Sequence, residues 1–399
     1  SGRSVAGGFI FPKISRGAAP PAWQGQSPFR SRGGVGPLLP SHAFATEAPF
    51  RPEIALPEVL QITAYPLAGL VAVFVSAAIA ICIAGTRLSY VADELADRTG
   101  MGEVIAGAVF VGAATSLPGA ITSVSTALQG QPELAIGNAL GGLTAQTAFV
   151  AVADIAYRRA NLEHAAASVA GLAQGILMVI MLTIPLLASA ESDITIWRIH
   201  PATLAIPITY IFGLRLLWQI QKNPMWIPKD TEETEEVLSD VEAIEGRMPR
   251  LWVEFALLAG ATAVAGFAIG QASIGLLDKT SLGAGPVGSI FAAVANSLPE
   301  LVTAIAAVRA GAVSLAIGNI IGGNAFEVMF LAAADVAYDG SIYAEMTAAD
   351  RSTALIALLM TGMLLLGLVK RDKEGPAMIG FESVTVLALY GLSVVLIVT

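Results

Sequence analysis

A short proline motif occurs twice in the chain and marks residues suited to binding a cation. Ser116-Leu117-Pro118-Gly119 recurs as Ser297-Leu298-Pro299-Glu300. Proline has no amide N–H and clashes with the carbonyl four residues earlier, so each copy should break its helix at the turn before the proline. Carbonyls freed at such a break, together with half-helix ends, can hold a positive ion. Pro118 and Pro299 are therefore expected to be helix breaks beside a cation site.

Glu300 is the acid of the second copy, and Gly119 takes the matching place in the first. Counted along its apolar segment, Glu300 falls near the middle of a bilayer, where an unpaired charge is expensive. It needs a cation, a proton or a partner there. We expect Glu300 to be a cation ligand or proton carrier; a protonated structural carboxyl is the alternative.

Two asparagines follow the proline motifs at equal spacing. Asn138 and Asn319 each stand after a glycine and shortly before a glycine pair, and glycines let helices in a membrane approach closely. Amide oxygens suit hard cations. The repetition favours ligation by both asparagines over simple hydrogen bonding between helices.

Glu327 is a further acid in the second copy. It follows Asn324 by one helical turn, so the two share a helix face, and its match in the first copy is Gln146. We interpret Glu327 as a second carboxylate of the site; a protonated or hydrogen-bonded packing role is the alternative. The candidate metal ligands are thus Glu300, Glu327, Asn138 and Asn319.

These motifs belong to a long internal duplication. Residues 107–154 align without insertion with residues 288–335, at an offset of about 181 residues and with roughly 19 of about 48 positions identical. The offset spans five apolar segments, and an odd number places the two copies in opposite orientations, which defines an inverted repeat. Asp154 and Asp335 close the two aligned regions and are expected at the membrane interface.

Composition indicates a membrane protein. Of 399 residues, 55% are hydrophobic and 13% are charged, and the mean hydropathy is +0.70, which is too apolar for a soluble domain of this size. Runs long enough to cross a bilayer occur at 66–84, 104–128, 134–157, 165–188, 199–220, 251–277, 285–308, 313–338, 353–369 and 377–398. The prediction is an all-α membrane protein of about ten transmembrane helices in a five-plus-five inverted repeat.

The chain divides into four regions on this interpretation. Residues 1–60 form a disordered tail, since the first 46 residues lack Asp and Glu and are rich in Gly, Pro, Arg and Ser; an organelle transit segment is the alternative. Residues 61–220 and 251–399 are the two five-helix repeats. Residues 221–250 form an acidic connector, for which a regulatory cation-sensing role is the alternative to a solvated link.

The basic residues are unevenly distributed between the loops. Positive charge concentrates on the cytoplasmic side of membrane proteins, and one set of alternate loops carries most of it: Arg87, Arg98, Arg158, Arg159, Lys222, Lys229, Arg247, Arg250, Arg309, Lys370, Arg371 and Lys373. The opposite set carries Arg198, Lys279 and Arg351. The first crossing is therefore expected to start outside the cell.

Several function classes are disfavoured. A lone cysteine, Cys82, excludes a disulfide framework and a cysteine metal site. The sequence has neither a zinc-protease motif nor a phosphate-binding glycine loop with lysine, so enzymatic activity and ATP-driven pumping are not expected. No cofactor and no nucleic-acid partner are expected; inorganic cations and the lipid bilayer are the expected partners, and the oligomeric state is undetermined.

The motifs resemble the alpha repeats of the cation/calcium antiporter superfamily, which includes sodium/calcium exchangers. The similarity lies in Thr115-Ser116-Leu117-Pro118, Ile136-Gly137-Asn138 and their counterparts, including Gly322-Gly323-Asn324. It extends over about residues 66–399, without the tail. Three positions depart from the family pattern, namely Gly119 in place of an acid, Leu143 in place of an asparagine, and Glu327 in place of a neutral residue.

The resemblance implies a midplane calcium site, with Glu300 as an ion ligand. It also implies supporting ligands at Thr115, Ser116, Asn138, Asn296, Ser297 and Asn319. The expected function is secondary antiport of Ca²⁺, or a related cation, for Na⁺ or H⁺ by alternating access. The alternatives are a monovalent cation/proton exchanger, a cation channel, and a membrane scaffold or sensor that transports nothing. The expected location is the plasma (inner) membrane, or an organelle membrane if the tail is a transit segment.

Overall fold

The computed structural model describes residues 61–99, 112–157, 160–166, 168–191, 194–196, 199–227, 229, 248–310, 313–373 and 379–399. The helices in these ranges are α1 (Leu67–Ala80), α2 (Thr86–Thr99), α3 (Gly112–Thr115), α4 (Leu117–Leu128), α5 (Pro132–Ala156), α6 (Leu162–Ala165), α7 (Val169–Ala190), α8 (Pro201–Lys222), α9 (Met248–Lys279), α10 (Ala293–Asn296), α11 (Leu298–Ala310), α12 (Val313–Ala337), α13 (Ala348–Lys370) and α14 (Phe381–Val398). Wider π-helical turns lie at Ile81–Gly85 and Pro286–Ala292, and 3₁₀ turns at Ile62–Ala64 and Ile342–Glu345.

The all-helical membrane fold is confirmed. Within the described residues, eight helical stretches are long and apolar enough to cross a membrane, and the pair Pro286–Asn296 and Leu298–Arg309, bent by 43°, would make a ninth. The first part of the crossing predicted at 104–128 lies outside the described residues, and α4 is its second part. The count of ten therefore stays a prediction, as do the tail at 1–60 and most of the connector at 221–250, which also lie outside these residues.

The two repeats have matching helices. α5 and α12 each contain 25 residues and begin at the aligned positions Pro132 and Val313. α1 and α9 begin at the aligned positions Leu67 and Met248. The duplication in the sequence is therefore a duplication of structure, helix by helix.

α5 and α12 form the centre of the bundle. Every residue of α5 from Leu134 to Ala151 is buried, and both helices carry apolar residues on every side, as expected for helices enclosed by others. The outer helices instead expose large aliphatic side chains, such as Val71, Val75 and Ile79 of α1. A belt of this kind faces lipid in a membrane protein.

Two glycines bring each repeat against the proline break of the other. A Cβ at Gly85, in the π-helical turn after α1, would lie 2.5 Å from Pro299 Cγ, and a Cβ at Gly266 of α9 would lie 2.3 Å from the Pro118 carbonyl oxygen. Gly85 and Gly266 are themselves aligned by the repeat. The reciprocal contacts show that the repeats are related by a pseudo-two-fold axis and that each helps to hold the other's break.

Asp154 and Asp335 lie in the last turns of α5 and α12, as their sequence positions indicated. They are 0% and 1% exposed. Asp154 accepts hydrogen bonds from the backbone N–H groups of Leu162 and Gly380, and Asp335 accepts them from His200 and Ile342. Each aspartate therefore joins a short connecting segment to the N-cap residue of a helix distant in the chain, Gly380 before α14 or His200 before α8.

Candidate cation site

Both predicted helix breaks are present. The first separates α3 from α4 at Ser116, and the second separates α10 from α11 at Ser297. Pro118 and Pro299 are the second residues of the helices that follow. Since neither proline has an N–H group, neither can donate to the carbonyl four residues earlier, and the helix cannot continue unbroken through that turn.

A chain of amide hydrogen bonds crosses between the repeats beside these breaks. Asn296 Nδ2 donates to Asn138 Oδ1 at 2.8 Å and to Thr122 Oγ1 at 3.0 Å. Asn138 Nδ2 in turn donates to Ser123 Oγ at 2.9 Å and to the Gly119 carbonyl at 3.0 Å. The structure thus places the predicted ligands Asn138 and Asn296 in direct contact, although they come from different repeats.

A second chain of bonds runs through Gln146 on α5. Its Nε2 donates to Glu327 Oε1 at 2.7 Å and to Ser297 Oγ at 3.2 Å. Glu327 lies against Gly142, where a Cβ would fall 2.8 Å from the carboxyl carbon. Gly142 of the first repeat therefore leaves the space that the acid of the second repeat fills.

Glu300 lies on the same side of this cluster. A Cβ at Gly323 would be 2.9 Å from Gln146 Oε1 and 3.9 Å from Glu300 Cγ, so Glu300 and Gln146 flank one glycine of α12. The Thr115 hydroxyl and the Glu327 carboxyl are further neighbours of Glu300. The two predicted carboxylates and the predicted ligands Thr115 and Ser297 thus belong to one buried cluster.

The cluster has an excess of hydrogen-bond acceptors. Within the described part of the chain, these buried oxygens receive no hydrogen bond of normal geometry: Ser116 Oγ, Gln146 Oε1, Asn296 Oδ1, both oxygens of Glu300, Asn324 Oδ1 and Glu327 Oε2. Buried polar atoms in native proteins are nearly always satisfied. Oxygens left together without donors are the ligand set that a hard cation requires.

The buried acidic charges also favour a bound cation. Glu300 and Glu327 are 1% and 3% exposed, and no Lys, Arg or His side chain is paired with either one among the residues the structure describes. Two ionised carboxylates cannot remain uncompensated inside a membrane. The site must therefore hold a cation, protons or both in turn.

Gly119 has no room for the acid that the family pattern would place there. A Cβ at this position would lie 2.8 Å from Phe330 Cε2, and Phe330 is 3% exposed in the core. The aromatic ring of α12 therefore occupies the place of a side chain on α4. The site is asymmetric because its second carboxylate comes from Glu327.

Asn319 is the predicted ligand that is least connected to the cluster. It is half-buried and donates from Nδ2 to Thr303 Oγ1 at 3.4 Å. Its repeat counterpart, Asn138, is 1% exposed and bonds across to the other repeat. Ligation by Asn319 stays a prediction.

Four polar residues of the cluster were not identified as site residues from the sequence. They are Gln146, Thr122, Ser123 and Asn324. For Thr122 a signal was present, since it repeats as Thr303, and each hydroxyl donates to the carbonyl of the break proline at 3.0 Å and 2.8 Å. Gln146 was visible only as the neutral match of Glu327.

The fold is similar to those of solved cation exchangers. The sodium-calcium exchanger NCX_Mj matches with a TM-score of 0.52 at 19% identity, covering 82% of this chain and 97% of that one. The H⁺/Ca²⁺ exchanger CAX matches with a TM-score of 0.58 at 15% identity, covering 82% of this chain and 81% of that one. At these identities the likeness concerns the fold.

Broken helices that meet in an inverted repeat, with donor-free oxygens between them, are typical of secondary transporters. The chain belongs to the sodium/calcium exchanger protein family, whose model matches residues 69–217 and 250–399. It is also 30% identical over 261 residues to the inner membrane protein YrbG of Escherichia coli (strain K12), covering 61% of this chain and 72% of that protein. The predicted family is confirmed, and the chain is a multi-pass membrane protein of the cation antiporter class.

Proposed function

We propose that the chain exchanges a divalent cation, Ca²⁺ first among them, for Na⁺ or H⁺ across a plasma (inner) membrane. Its relatives include a sodium-calcium exchanger, an H⁺/Ca²⁺ exchanger and an inner membrane protein. The observation that carries the proposal is the buried carboxylate pair Glu300 and Glu327, surrounded by oxygens that receive no hydrogen bond in the described part of the chain.

The two acids have different roles in this scheme. Glu300 lies in the first turn after the break at Ser297, and neither of its oxygens receives a hydrogen bond of normal geometry, so it is the main charge-compensating ligand. Glu327 uses Oε1 to accept from Gln146 and keeps Oε2 for the ion. Two carboxylates balance one divalent cation, whereas Na⁺ or H⁺ must replace it in larger number to keep the same balance.

The neutral oxygens complete the ligand set. Asn296 Oδ1, Gln146 Oε1 and Asn324 Oδ1 are buried acceptors whose amide nitrogens already donate to other side chains. Those bonds fix the direction of each amide, so the oxygens are positioned before the ion arrives. Preorganised oxygens reduce the entropy that ion binding costs.

A monovalent cation/proton exchanger is the second candidate. It is favoured by one observation, the ring of Phe330 where the first repeat would carry its acid. With a neutral Gln146 as the repeat partner of Glu327, the site has two charges in total from the described residues, and one retained proton would leave a single charge suited to Na⁺. The ion that moves under an imposed counter-ion gradient distinguishes the two candidates.

The test is ion flux in vesicles containing the purified full-length protein. Ca²⁺ uptake and internal pH are measured with an outward Na⁺ gradient, with a pH gradient and with no gradient, for wild type, Glu300→Gln and Glu327→Gln. Glu133→Gln is the matched control, because Glu133 is an exposed glutamate on α5. Wild type and the control should take up Ca²⁺ only when a counter-ion gradient is imposed, and Glu300→Gln should lose this uptake.

The outcomes separate the alternatives. Na⁺/H⁺ exchange without Ca²⁺ movement establishes the monovalent exchanger. Cation flux that needs no counter-ion gradient indicates a channel, and the absence of any gradient-driven cation movement would leave a scaffold or sensor. Normal Ca²⁺ uptake by Glu300→Gln would show that the ion binds elsewhere.

A further inference from the structure

A second group of buried carboxyls lies at the end of α5, away from the cation site. Asp154 accepts from the Leu162 N–H through Oδ1 at 2.8 Å and from the Gly380 N–H through Oδ2 at 3.1 Å. Glu163 follows Leu162, and Glu382 is the second residue of α14, two positions after Gly380. One aspartate therefore brings these two glutamates together.

Both glutamates are enclosed. Glu163 is 0% exposed and Glu382 is 1% exposed. The Glu382 carboxyl carbon would lie 2.8 Å from a Cβ at Gly367 of α13, so this glycine makes the space that the acid fills. The Glu163 and Glu382 carboxyl groups are within hydrogen-bonding reach of each other.

If both glutamates were ionised, they could not hydrogen-bond to each other, because carboxylates only accept hydrogen bonds. Neither oxygen of Glu163 receives a hydrogen bond from the described residues, and nor does Glu382 Oε2. Protonation of one carboxyl would supply the missing donor and remove one charge. An unpartnered, fully buried Glu163 beside Glu382 is therefore the observation that favours a bound proton.

Among the residues that the structure describes, no charged neighbour is paired with Glu163 or Glu382. The Arg371 guanidinium donates to the carbonyls of His164 and Lys229, and Lys370 is paired with Asp372 at 2.5 Å. His164 Nδ1 lies 2.7 Å from the Arg371 carbonyl. α12, which packs against α6, offers no counter-charge in its first half, because it carries no ionisable residue between Val313 and Phe326. Asp154 adds negative charge from α5.

We propose that Glu163 and Glu382 form a proton-binding site, separate from the transport site, in which one proton bridges the two carboxyls and fastens α6 to the start of α14. The site closes the end of α5, the helix that also carries Asn138 and Gln146. It lies among the loops rich in Arg and Lys, so it responds to the pH on that side of the membrane.

Within its described residues, the other end of the pseudo-symmetric bundle has no such pair. There Asp335 accepts two backbone hydrogen bonds, from His200 and Ile342, as Asp154 does from Gly380 and Leu162. The places of Glu163 and Glu382 are taken by Tyr343, the residue after Ile342, and by Ala202, two residues after His200. Neither can share a proton between carboxyls. The proposed proton therefore acts at one end of the protein only.

Burial and the charges of Asp154 and Glu382 raise the pKa of Glu163 well above its ordinary value. An acid with a raised pKa in the folded state favours folding below its unfolded pKa, and this advantage is lost as pH rises toward the folded value. In wild type, thermal stability should thus decline as pH rises above the ordinary Glu value of about 4.3. Glu163→Gln keeps a donor and cannot ionise, so its stability should exceed that of wild type by a margin that grows with pH.

The experiment compares wild type, Glu163→Gln, Glu382→Gln and the double variant, with Glu191→Gln, an exposed glutamate, as control. The thermal midpoint is followed against pH, and the infrared carbonyl band of protonated carboxylic acids is recorded in the same samples. Each single variant should lose the same band, and the double variant should lose no more than either single one, because one proton is shared. Hydrogen exchange of residues 160–166, corrected for its intrinsic pH dependence, should rise with pH in wild type and the control alone.

An unchanged infrared band in both single variants would overturn the proposal. So would parallel pH profiles for wild type and Glu163→Gln. If Glu163→Gln does not fold, the infrared band of Glu382→Gln is the test. Loss of the band supports the shared proton, and an unchanged band overturns it. None of these measurements requires transport, so the result is independent of the proposed antiport.

Discussion

Gln146 donates to Glu327 Oε1 at 2.7 Å, and the two residues are 181 positions apart, which is the offset of the repeat. Residues related by a two-fold axis can touch only where the axis passes between them. The bond therefore marks the pseudo-two-fold axis, and it joins a neutral amide to an acid at the point where symmetry would have placed two like side chains. Two carboxylates there would have repelled each other, whereas the amide donates to the single acid.

Loss of the Gln146 amide should destabilise the protein. In Gln146→Leu, Glu327 Oε1 is left buried without its donor, which costs about 1–3 kcal/mol. The thermal midpoint of the purified protein without Ca²⁺ should fall, while Gln219→Leu, at an exposed position on α8, should unfold near the wild-type temperature. Equal midpoints for Gln146→Leu and wild type would mean that the bond contributes nothing.

Added Ca²⁺ should stabilise the wild type. A ligand that binds only the folded state adds about 2.7 kcal/mol when present at 100 times its Kd. The thermal midpoint should thus rise when Ca²⁺ replaces a chelator. Glu300→Gln should lose the rise and Glu133→Gln should keep it. A full Ca²⁺ response in Glu300→Gln would contradict the assigned site.

An acid introduced at position 119 should not fit beside Phe330. Overpacking a close-packed site costs about 1–3 kcal/mol, and the nearest ring carbon would be 2.8 Å from the new Cβ. Gly119→Glu should therefore be less stable than wild type. The double variant Gly119→Glu/Phe330→Ala should lose less stability than the sum of the losses in the two single variants, because the smaller side chain makes room for the acid.

Ion affinity tests the same pair of substitutions. The double variant Gly119→Glu/Phe330→Ala has a third carboxylate and should bind Ca²⁺ more tightly than Phe330→Ala alone, as measured by calorimetry. Weaker binding in the double variant would show that position 119 does not face the ion.

Gly266 should tolerate no side chain. A Cβ there would lie 2.3 Å from the Pro118 carbonyl oxygen, and backbone cannot move aside as a flexible side chain can. Gly266→Ala should therefore lower both the thermal midpoint and the rate of ion exchange in vesicles. Gly260→Ala is the control on the same helix, because a Cβ at Gly260 meets nothing within 4 Å. Similar behaviour of the two variants would refute the role of this contact.

Removal of the Asp335 carboxylate should loosen one end of the bundle. It accepts from the His200 and Ile342 N–H groups at 3.1 Å and 2.8 Å and from the Thr203 hydroxyl. Asp335→Ala leaves buried donors unsatisfied, at about 1–3 kcal/mol for each one. Hydrogen exchange should increase at residues 199–203 and 341–345 but stay unchanged at residues 160–166, at the opposite end.

Sequence patterns that repeat could be interpreted without coordinates. The duplication predicted both helix breaks and the acid Glu300, because proline acts on its own backbone and an intramembrane carboxyl requires compensation wherever it lies. Apolar runs predicted the helices to within a few residues for most crossings, since the bilayer fixes their length. The pairing of Thr122 with Thr303 carried similar information and was overlooked.

Contacts between residues distant along the chain could be decided only by tertiary structure. The bond from Asn296 to Asn138, the ring of Phe330 beside Gly119 and the meeting of Glu163 with Glu382 each join different helices. No local pattern specifies such neighbours, because they depend on how whole helices pack and on which side chain fills the space a glycine leaves. The sequence thus determined the repeated helices and the polar residues they carry, whereas packing decided which of these residues share a buried site.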